Sequence, residues 1–102
     1  MNNQIFIRYK KRPNFNCCPL CHKGLKWVTD GIEWYPCNEE PILFARDQGY
    51  ERVVKKGELI RNTKILRPGM KVRNPNAYEY GLEPHVFTCE YLKKGNDQHG
   101  KQ

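Results

Sequence analysis

Two pairs of residues in this chain have the types and spacing needed to bind one metal ion. Cys18 and Cys21 stand in the sequence Cys-Pro-Leu-Cys, and His85 and Cys89 form a second pair near the end of the chain. A tight turn can aim two thiols of this spacing at one ion, and structural zinc takes four nitrogen or sulfur ligands. The pattern therefore predicts a Zn²⁺ site made of Cys18, Cys21, His85 and Cys89.

Neighbouring residues leave alternatives within the first pair. Cys17 adjoins Cys18, and His22 follows Cys21 at a position where such turns often carry glycine. We prefer Cys18 as the ligand because Cys-Pro-x-Cys is the usual form of the turn, and we treat His22 as a neighbour of the site. A simpler interpretation also stands, in which the thiols are ordinary buried side chains, since cysteine is often buried without metal.

The remaining thiol and imidazole are expected outside the site. Cys37 follows Pro36, and we interpret it as a core thiol that could otherwise replace His85 as a ligand. His99 lies in the last residues and is expected to bind nothing. The total of five cysteines is odd, which favours thiolate ligation in a reducing compartment over a closed disulfide framework.

The sequence favours a binding protein of the cytoplasm over an enzyme or a membrane protein. Four protein ligands would leave a zinc ion no open position for catalysis, and the chain has no His-Glu-x-x-His motif, so we predict no catalytic residues. A redox role for the Cys-x-x-Cys pair lacks the expected strand-then-helix context. No apolar leader is evident, and no run approaches the roughly 18 apolar residues of a membrane helix.

The elements that must position the two pairs are predicted to be mainly β. The chain has 102 residues, which suits one domain, and its hydrophobic content of 38% is low, so the aromatic residues must supply much of the core. We expect a single zinc-stapled domain over residues 1–94 and a flexible tail over 95–102. Runs of β-branched and aromatic residues predict strands at 5–9, 25–29, 32–35, 42–45, 50–54, 59–66 and 78–80.

Turn residues between these runs predict two hairpins. Asp30-Gly31 suits the two positive φ angles of a type I′ turn, and Gly57 suits the left-handed position of a second short loop. Residues 85–94 lack helix breakers and could form a short helix, on which positions 85 and 89 share a face. The predicted fold class is mainly β, with a small α+β fold possible: a zinc-ribbon-like antiparallel β-meander with a short C-terminal helix.

Three segments also resemble a known group of proteins. They are residues 18–21 (Cys-Pro-Leu-Cys), 34–41 (Trp-Tyr-Pro-Cys-Asn-Glu-Glu-Pro) and 84–89 (Pro-His-Val-Phe-Thr-Cys). Together they look like small uncharacterised proteins of temperate bacteriophages, over roughly residues 17–90. The resemblance implies a zinc-ribbon-like domain with ligands at the four positions named above, and it implies no activity. The group usually has glycine and proline where this chain has His22 and Glu90.

Positive charge is concentrated in two segments. The net charge is +7, and residues 1–28 and 61–75 contain basic but no acidic side chains. Such a balance attracts phosphate backbones or acidic protein surfaces. We predict that the partner-binding residues are Arg8, Lys10, Lys11, Arg12, Lys23 and Lys26 in the basic N-terminal segment, and Arg61, Lys64, Arg67, Lys71 and Arg73 in the basic central segment.

Nucleic acid is the partner that these segments favour. Tyr9, Phe15 and Trp27 lie among the first set of cations, and a surface that follows a single strand combines charges with rings for stacking. The rings could equally belong to the core, with the charges an ordinary solvated surface. The alternative partner is an acidic host protein, in which case the chain would inhibit or modulate a host enzyme, a defence complex in the manner of an anti-CRISPR protein, or the transcription machinery. We expect a monomer.

Overall fold

A computed structural model of the chain describes residues 5–72 and 74–92. Its strands form two antiparallel sheets, one of two strands and one of three. Short 3₁₀ turns cover Pro75–Ala77 and His85–Phe87, and helical residues follow at 90–92. The strands are β1 (Leu25–Thr29), β2 (Trp34–Asn38), β3 (Ile42–Lys55), β4 (Glu58–Ile65) and β5 (Tyr78–Gly81).

This architecture confirms the predicted fold class, which was mainly β with a short C-terminal helix. The third strand of the larger sheet comes from β5, which pairs with β3 rather than with β4. The chain therefore returns across the sheet after β4 through residues 66–77. The predicted tail, including His99, lies outside the described residues.

The first hairpin forms, but its second strand is Trp34–Asn38 rather than the predicted 32–35, and its turn differs. Thr29 pairs with Trp34, and the backbone N–H of Asp30 donates to the carbonyl of Glu33, so that Gly31 and Ile32 are the central residues. Only Gly31 has a positive φ, of 95°, whereas a type I′ turn requires two. Asp30 instead uses a side-chain oxygen to accept hydrogen bonds from the N–H groups of Ile32 and Glu33, at 2.8 and 2.7 Å.

The second hairpin joins the two longest strands. Lys55 pairs with Glu58, and the loop residues Lys56 and Gly57 both have positive φ, of 51° and 82°. The prediction for Gly57 is thus confirmed, and this turn is the one that has type I′ geometry. The predicted strands 42–45 and 50–54 are one continuous strand.

A bulge replaces the predicted break between those two strands. Arg46 and Glu51 both lie opposite Thr63, so residues 47–50 have no partners in the ladder. Asp47 and Asn62 have φ of 58° and 61° on the two sides of this irregularity. Asparagine and aspartate tolerate this left-handed conformation better than most residues, which explains why turn-forming residues occur here inside a strand.

The two ends of the described chain differ from the predictions. Residues 5–9 form no strand, and only Tyr9 bridges to Trp34, because Ile5 packs into the core and the segment bends above it. The predicted helix over 85–94 is interrupted. Its first turn is 3₁₀ and ends at Thr88, which has φ −119° and ψ 0°, and helical residues resume at 90.

Three apolar clusters make up the core. One lies at the two cysteine pairs and contains Ile5 and Leu25, another lies under the three-stranded sheet around Phe44 and Val53, and the third contains Tyr35 between the sheets. Each cluster is small, in keeping with the low apolar content. The fold therefore depends on links between the clusters.

Residues 82–85 provide one such link. Leu82 exchanges two backbone hydrogen bonds of 2.8 Å with Val54 of β3, and the carbonyl of Glu83 accepts one of 2.9 Å from Asn38 of β2. Pro84 forms a bridge with Cys37. This crosspiece, defined as residues 82–85, joins both sheets and ends at His85.

In the part of the chain that the structure describes, no helix is long and apolar enough to cross a membrane.

Gly57 offers a test of how the two hairpins pack. A Cβ atom at this position would overlap the carbonyl of Thr29, whereas Gly69, which also has a positive φ, has no atom within 4 Å of such a Cβ. We expect Gly57→Ala to lower the free energy of unfolding by about 3 kcal/mol and Gly69→Ala by about 1 kcal/mol. Urea denaturation measures both. Equal losses would show that the contact with Thr29 does not matter.

Candidate metal centre

The structure brings the four predicted metal-binding side chains together. Their ligand atoms all lie within 4.8 Å of one another in the metal cluster, which is Cys18, Cys21, His85 and Cys89. The Sγ atoms of Cys18 and Cys89 are 3.8 Å apart, and Cys21 Sγ is 3.2 Å from His85 Nε2. The cluster could therefore hold a metal ion.

The spacing suits a tetrahedral ion with sulfur and nitrogen ligands. Bonds of about 2.3 Å to sulfur and about 2.0 Å to nitrogen place neighbouring ligand atoms roughly 3.5 to 3.8 Å apart. The distance between Cys18 and Cys89 matches that edge, and the distance from Cys21 to His85 is slightly shorter. Only small shifts would be needed to receive the ion.

Backbone hydrogen bonds shape the turn that carries Cys18 and Cys21. The N–H of Leu20 donates to Cys18 Sγ at 3.4 Å, and the N–H of His22 donates to the Cys18 carbonyl at 2.9 Å. Cys17 and Gly24 close the base of the turn as an antiparallel bridge. His22 has a φ of 67°, the left-handed conformation that glycine adopts most readily, which explains the preference for glycine at this place in such turns.

Asn38 fixes the orientation of His85. Its Oδ1 atom is 2.7 Å from His85 Nδ1, and its side-chain amide donates to Thr88 Oγ1 at 2.9 Å. Because the amide oxygen can only accept, Nδ1 carries the proton and Nε2 keeps its lone pair on the side of Cys21. A partner of this kind commonly holds a metal-binding histidine in the correct tautomer.

The protonation states of the cluster are compatible with metal binding. Burial lowers the pKa of His85, which keeps its ring neutral at physiological pH. Burial opposes ionisation of Cys18, but the N–H groups of Cys21 and Leu20 outweigh it, so the pKa of Cys18 lies below its ordinary value. Burial raises the pKa of Cys21. A bound cation would favour the thiolate at each of these cysteines.

The other cysteines and the second histidine lie outside the cluster. Cys37 is fully buried beside Tyr35 and Val54, and burial raises the pKa of its thiol to about 12. This position agrees with a core thiol. Cys17 is exposed, as is His22. All five cysteines are unpaired, so the structure contains no disulfide that could staple the fold.

The cations of the basic N-terminal segment are all exposed, but they differ in their contacts. Arg8 lies 3.6 Å from Glu33, and Lys23 lies 4.0 Å from Glu90. Arg12 donates to Asn16 and lies over the ring of Trp27, 5.6 Å from its centroid. Within the described ranges, no salt bridge engages the other three cations of this segment, which are Lys10, Lys11 and Lys26.

The aromatic rings of this segment pack on one another. The ring of Trp27 lies 5.5 Å from those of Tyr9 and Phe15 in edge-to-face contacts, and Trp27 Nε1 donates to the carbonyl of Phe15 at 2.8 Å. Phe15 and Trp27 also pack against the apolar cluster at the metal site. These rings therefore pack on one another and, through Phe15 and Trp27, on the core.

In the basic central segment, Arg61, Lys64 and Lys71 are exposed, and Arg73 lies outside the described residues. Arg67 differs from the others because its guanidinium forms hydrogen bonds of 3.0 and 2.9 Å with both oxygens of Glu83 and also contacts Glu51. These hydrogen bonds raise the pKa of Arg67 above its ordinary value. Glu83 is buried, so Arg67 neutralises an interior charge and anchors the crosspiece.

Sequence reasoning missed the exposed aromatic side chains. Tyr50 is 96% exposed, and Tyr80, Tyr91 and Phe87 also face solvent. Tyr50, Phe87 and Arg52 line a cleft of about 320 Å³ in which Arg52 lies over the Phe87 ring at 5.7 Å. The alternation of β3 would have predicted an outward Tyr50 only if the bulge had been recognised.

Comparison of the chain with protein-family models, with curated proteins and with solved structures found no match. The resemblance to small bacteriophage proteins therefore stays a prediction. The case for the site rests on the geometry of the four ligand positions and their hydrogen bonds.

The hydrogen bond from His85 to Asn38 can be tested through metal affinity. Asn38→Ala removes the acceptor that holds the ring, and loss of such a partner lowers metal affinity by about 10- to 100-fold. Asn38→Asp keeps an acceptor for Nδ1–H and is expected to bind at least as tightly as the natural chain. Competition with a chromophoric chelator, using Zn²⁺ as the probe, measures both affinities. If Asn38→Ala binds as well as Asn38→Asp, Asn38 does not position the ligand.

Proposed function

We propose that this protein is a small, non-enzymatic zinc module that presents a basic surface to nucleic acid. The observation that carries the zinc assignment is the metal cluster, where three thiol sulfurs and one imidazole nitrogen lie within 4.8 Å of one another. This donor set is typical of structural zinc, and soft thiolate ligands disfavour magnesium and calcium.

A structural role for the ion follows from the number of ligands. Four protein side chains complete a tetrahedral zinc ion and leave no position for a water or a substrate. The nearest buried carboxylate on the same segment, Glu83, is paired with Arg67 and so is not available as a general base. Both facts support a binding module rather than a hydrolase.

The exposed cations support nucleic acid as the partner. Lys10, Lys11 and Lys26 carry charges that no carboxylate offsets within 4 Å in the described part of the chain, and Lys64 and Lys71 are equally exposed. Phosphate contacts supply most of the affinity of such surfaces, without dependence on sequence. Three thiolates and one Zn²⁺ add one negative charge, so a net charge of +7 would fall only to about +6.

The cleft lined by Tyr50, Arg52 and Phe87 supports a second candidate, a protein-binding module. Aromatic residues and arginine are enriched at protein interfaces, and the ring of Tyr50 is almost fully exposed. The partner would then be a host protein with an acidic surface. Tyr50→Ala would weaken capture of such a protein and leave affinity for nucleic acid unchanged.

Removal of the metal should unfold the domain. Structural zinc contributes on the order of 10 to 16 kcal/mol in small peptides, comparable to the whole stability of a typical domain. We expect one zinc per chain by elemental analysis and loss of the cooperative thermal transition in EDTA. Cys89→Ser should abolish both the metal and the transition.

Cys37→Ala is the matched control, because Cys37 is buried but lies outside the metal cluster. It should keep the bound zinc and lower the melting temperature only to the extent expected for a small core cavity. If both substitutions have equal effects, or if the protein without metal melts as the loaded protein does, the zinc assignment is wrong.

Charge changes in the basic N-terminal segment test the nucleic-acid proposal. Replacing both Lys10 and Lys11 by glutamine should weaken binding to a single-stranded oligonucleotide about tenfold at moderate salt. The slope of log K against log salt concentration should become less steep by about 1.4. Lys56→Glu, at the tip of the second hairpin, changes the net charge by the same amount and should have little effect. Fluorescence anisotropy over a salt series measures both. Failure of the natural chain to bind in a salt-dependent way would exclude nucleic acid as the partner.

A further inference from the structure

A cavity of about 460 Å³ lies on the outer face of the three-stranded sheet. Residues of β3, β4 and β5 form its floor, and the segment that connects β4 to β5 forms its wall. The volume falls within the range of about 300 to 1,000 Å³ that is usual for small-ligand sites. None of the four residues of the metal cluster lines this cavity.

The register of the sheet explains why a hollow forms here. Ala45 of β3 lies opposite Lys64 of β4 and opposite Tyr78 of β5. Residues directly opposite one another in antiparallel strands point to the same face, so these three side chains form a row. The small central alanine leaves a depression between an aromatic ring and an ammonium group.

Polar side chains complete the cavity. Gln48 reaches it from the bulge of β3, where residues 47–50 leave the ladder, and Lys71 and Asn74 reach it from the connecting segment. Two amides and two ammonium groups therefore surround one aromatic ring. Such a combination offers hydrogen bonds, charge and a stacking surface within one site.

The electrostatics of the cavity select an anionic ligand. Among the described residues, its only charged lining groups are Lys64 and Lys71. Two acidic residues adjoin lining residues in the sequence. Glu79 lies opposite Phe44 on the other face, where Arg46 and Lys55 pair with it at 2.7 and 3.1 Å. Asp47 precedes Gln48 and does not line the cavity. The two lysines in the cavity thus keep their charge available to a phosphate.

We propose that this cavity binds one nucleotide of a single strand, with its base against the Tyr78 ring and its phosphates on Lys64 and Lys71. This proposal rests on the proposed function and gives it a defined contact point. Stacking of bases on aromatic rings together with cationic contacts to the backbone is the usual means of binding single strands. Gln48 and Asn74 can hydrogen bond to the edge of the base.

The sheet surface, rather than the ring cluster at Trp27, then supplies the stacking contact. The rings of Tyr9, Phe15 and Trp27 are occupied with one another, whereas Tyr78 lines an open cavity. The lysines of the basic N-terminal segment would form a second, purely ionic contact with the same nucleic-acid strand. The two regions can be separated by substitution.

The test uses the zinc-loaded full chain and fluorescent hexamers of thymidine, of uridine and of abasic deoxyribose, measured by anisotropy. Lys64→Gln with Lys71→Gln should weaken binding of all three about tenfold. Tyr78→Leu should weaken binding of the two base-bearing hexamers about five- to tenfold and leave the abasic one unchanged. Two control variants should bind as the natural chain does. Tyr80→Leu replaces an exposed tyrosine of the same β-strand that lies outside the cavity, and Tyr78→Phe keeps the ring.

The outcomes separate the cavity from the wider proposal. If Tyr78→Leu binds as Tyr80→Leu does, or if only the Lys10 and Lys11 substitutions weaken binding, nucleic-acid binding stands and the cavity is not its site. If the natural chain binds no hexamer, both proposals fail. Thermal melting of each variant shows that a loss of binding does not come from unfolding.

Discussion

Four side chains from distant parts of the chain meet at one point of the fold, Cys18 and Cys21 from one side and His85 and Cys89 from the other. Between Cys21 and His85 lie 63 residues, which include all five strands. The three apolar clusters are small, and one of them packs Tyr35 of β2 against Val54 of β3, between the two sheets. A metal ion bound by these four side chains would add to this contact and to the crosspiece, in a chain whose apolar content is low.

Two groups of hydrogen-bonded polar side chains connect the segment of His85 and Cys89 to the sheets. Asn38, at the end of β2, holds His85 and Thr88, and Arg67 holds the buried carboxylate of Glu83. Within the described residues, no buried side-chain nitrogen or oxygen lacks a hydrogen-bond partner. A satisfied network of this kind favours one arrangement of its members over others, because any displacement leaves a buried polar group without a partner.

Local patterns predicted the parts of this molecule that short-range chemistry determines. The Cys-Pro-Leu-Cys turn, the two hairpins and the pairing of distant ligand positions all follow from residue types and spacing. The role of Arg67 could not be predicted, because its partners Glu51 and Glu83 meet it only through the tertiary fold. The same holds for the packing of Trp27 and for the single strand β3, where a bulge looks like a turn in the sequence. Apart from the four ligand positions, contacts between distant residues and irregular strands are where such reasoning fails.

Unequal burial of the four ligand side chains has a kinetic consequence. Cys18, His85 and Cys89 are almost completely buried, whereas Cys21 is partly exposed. Among the described residues of the metal cluster, Cys21 is the ligand that a chelator or a competing thiol would reach first, and the buried ligands would exchange when the domain opens. Release of the ion would then proceed at the rate of that opening rather than at the rate of ligand exchange in solution. The time for which the ion stays bound would therefore report how long the domain stays closed.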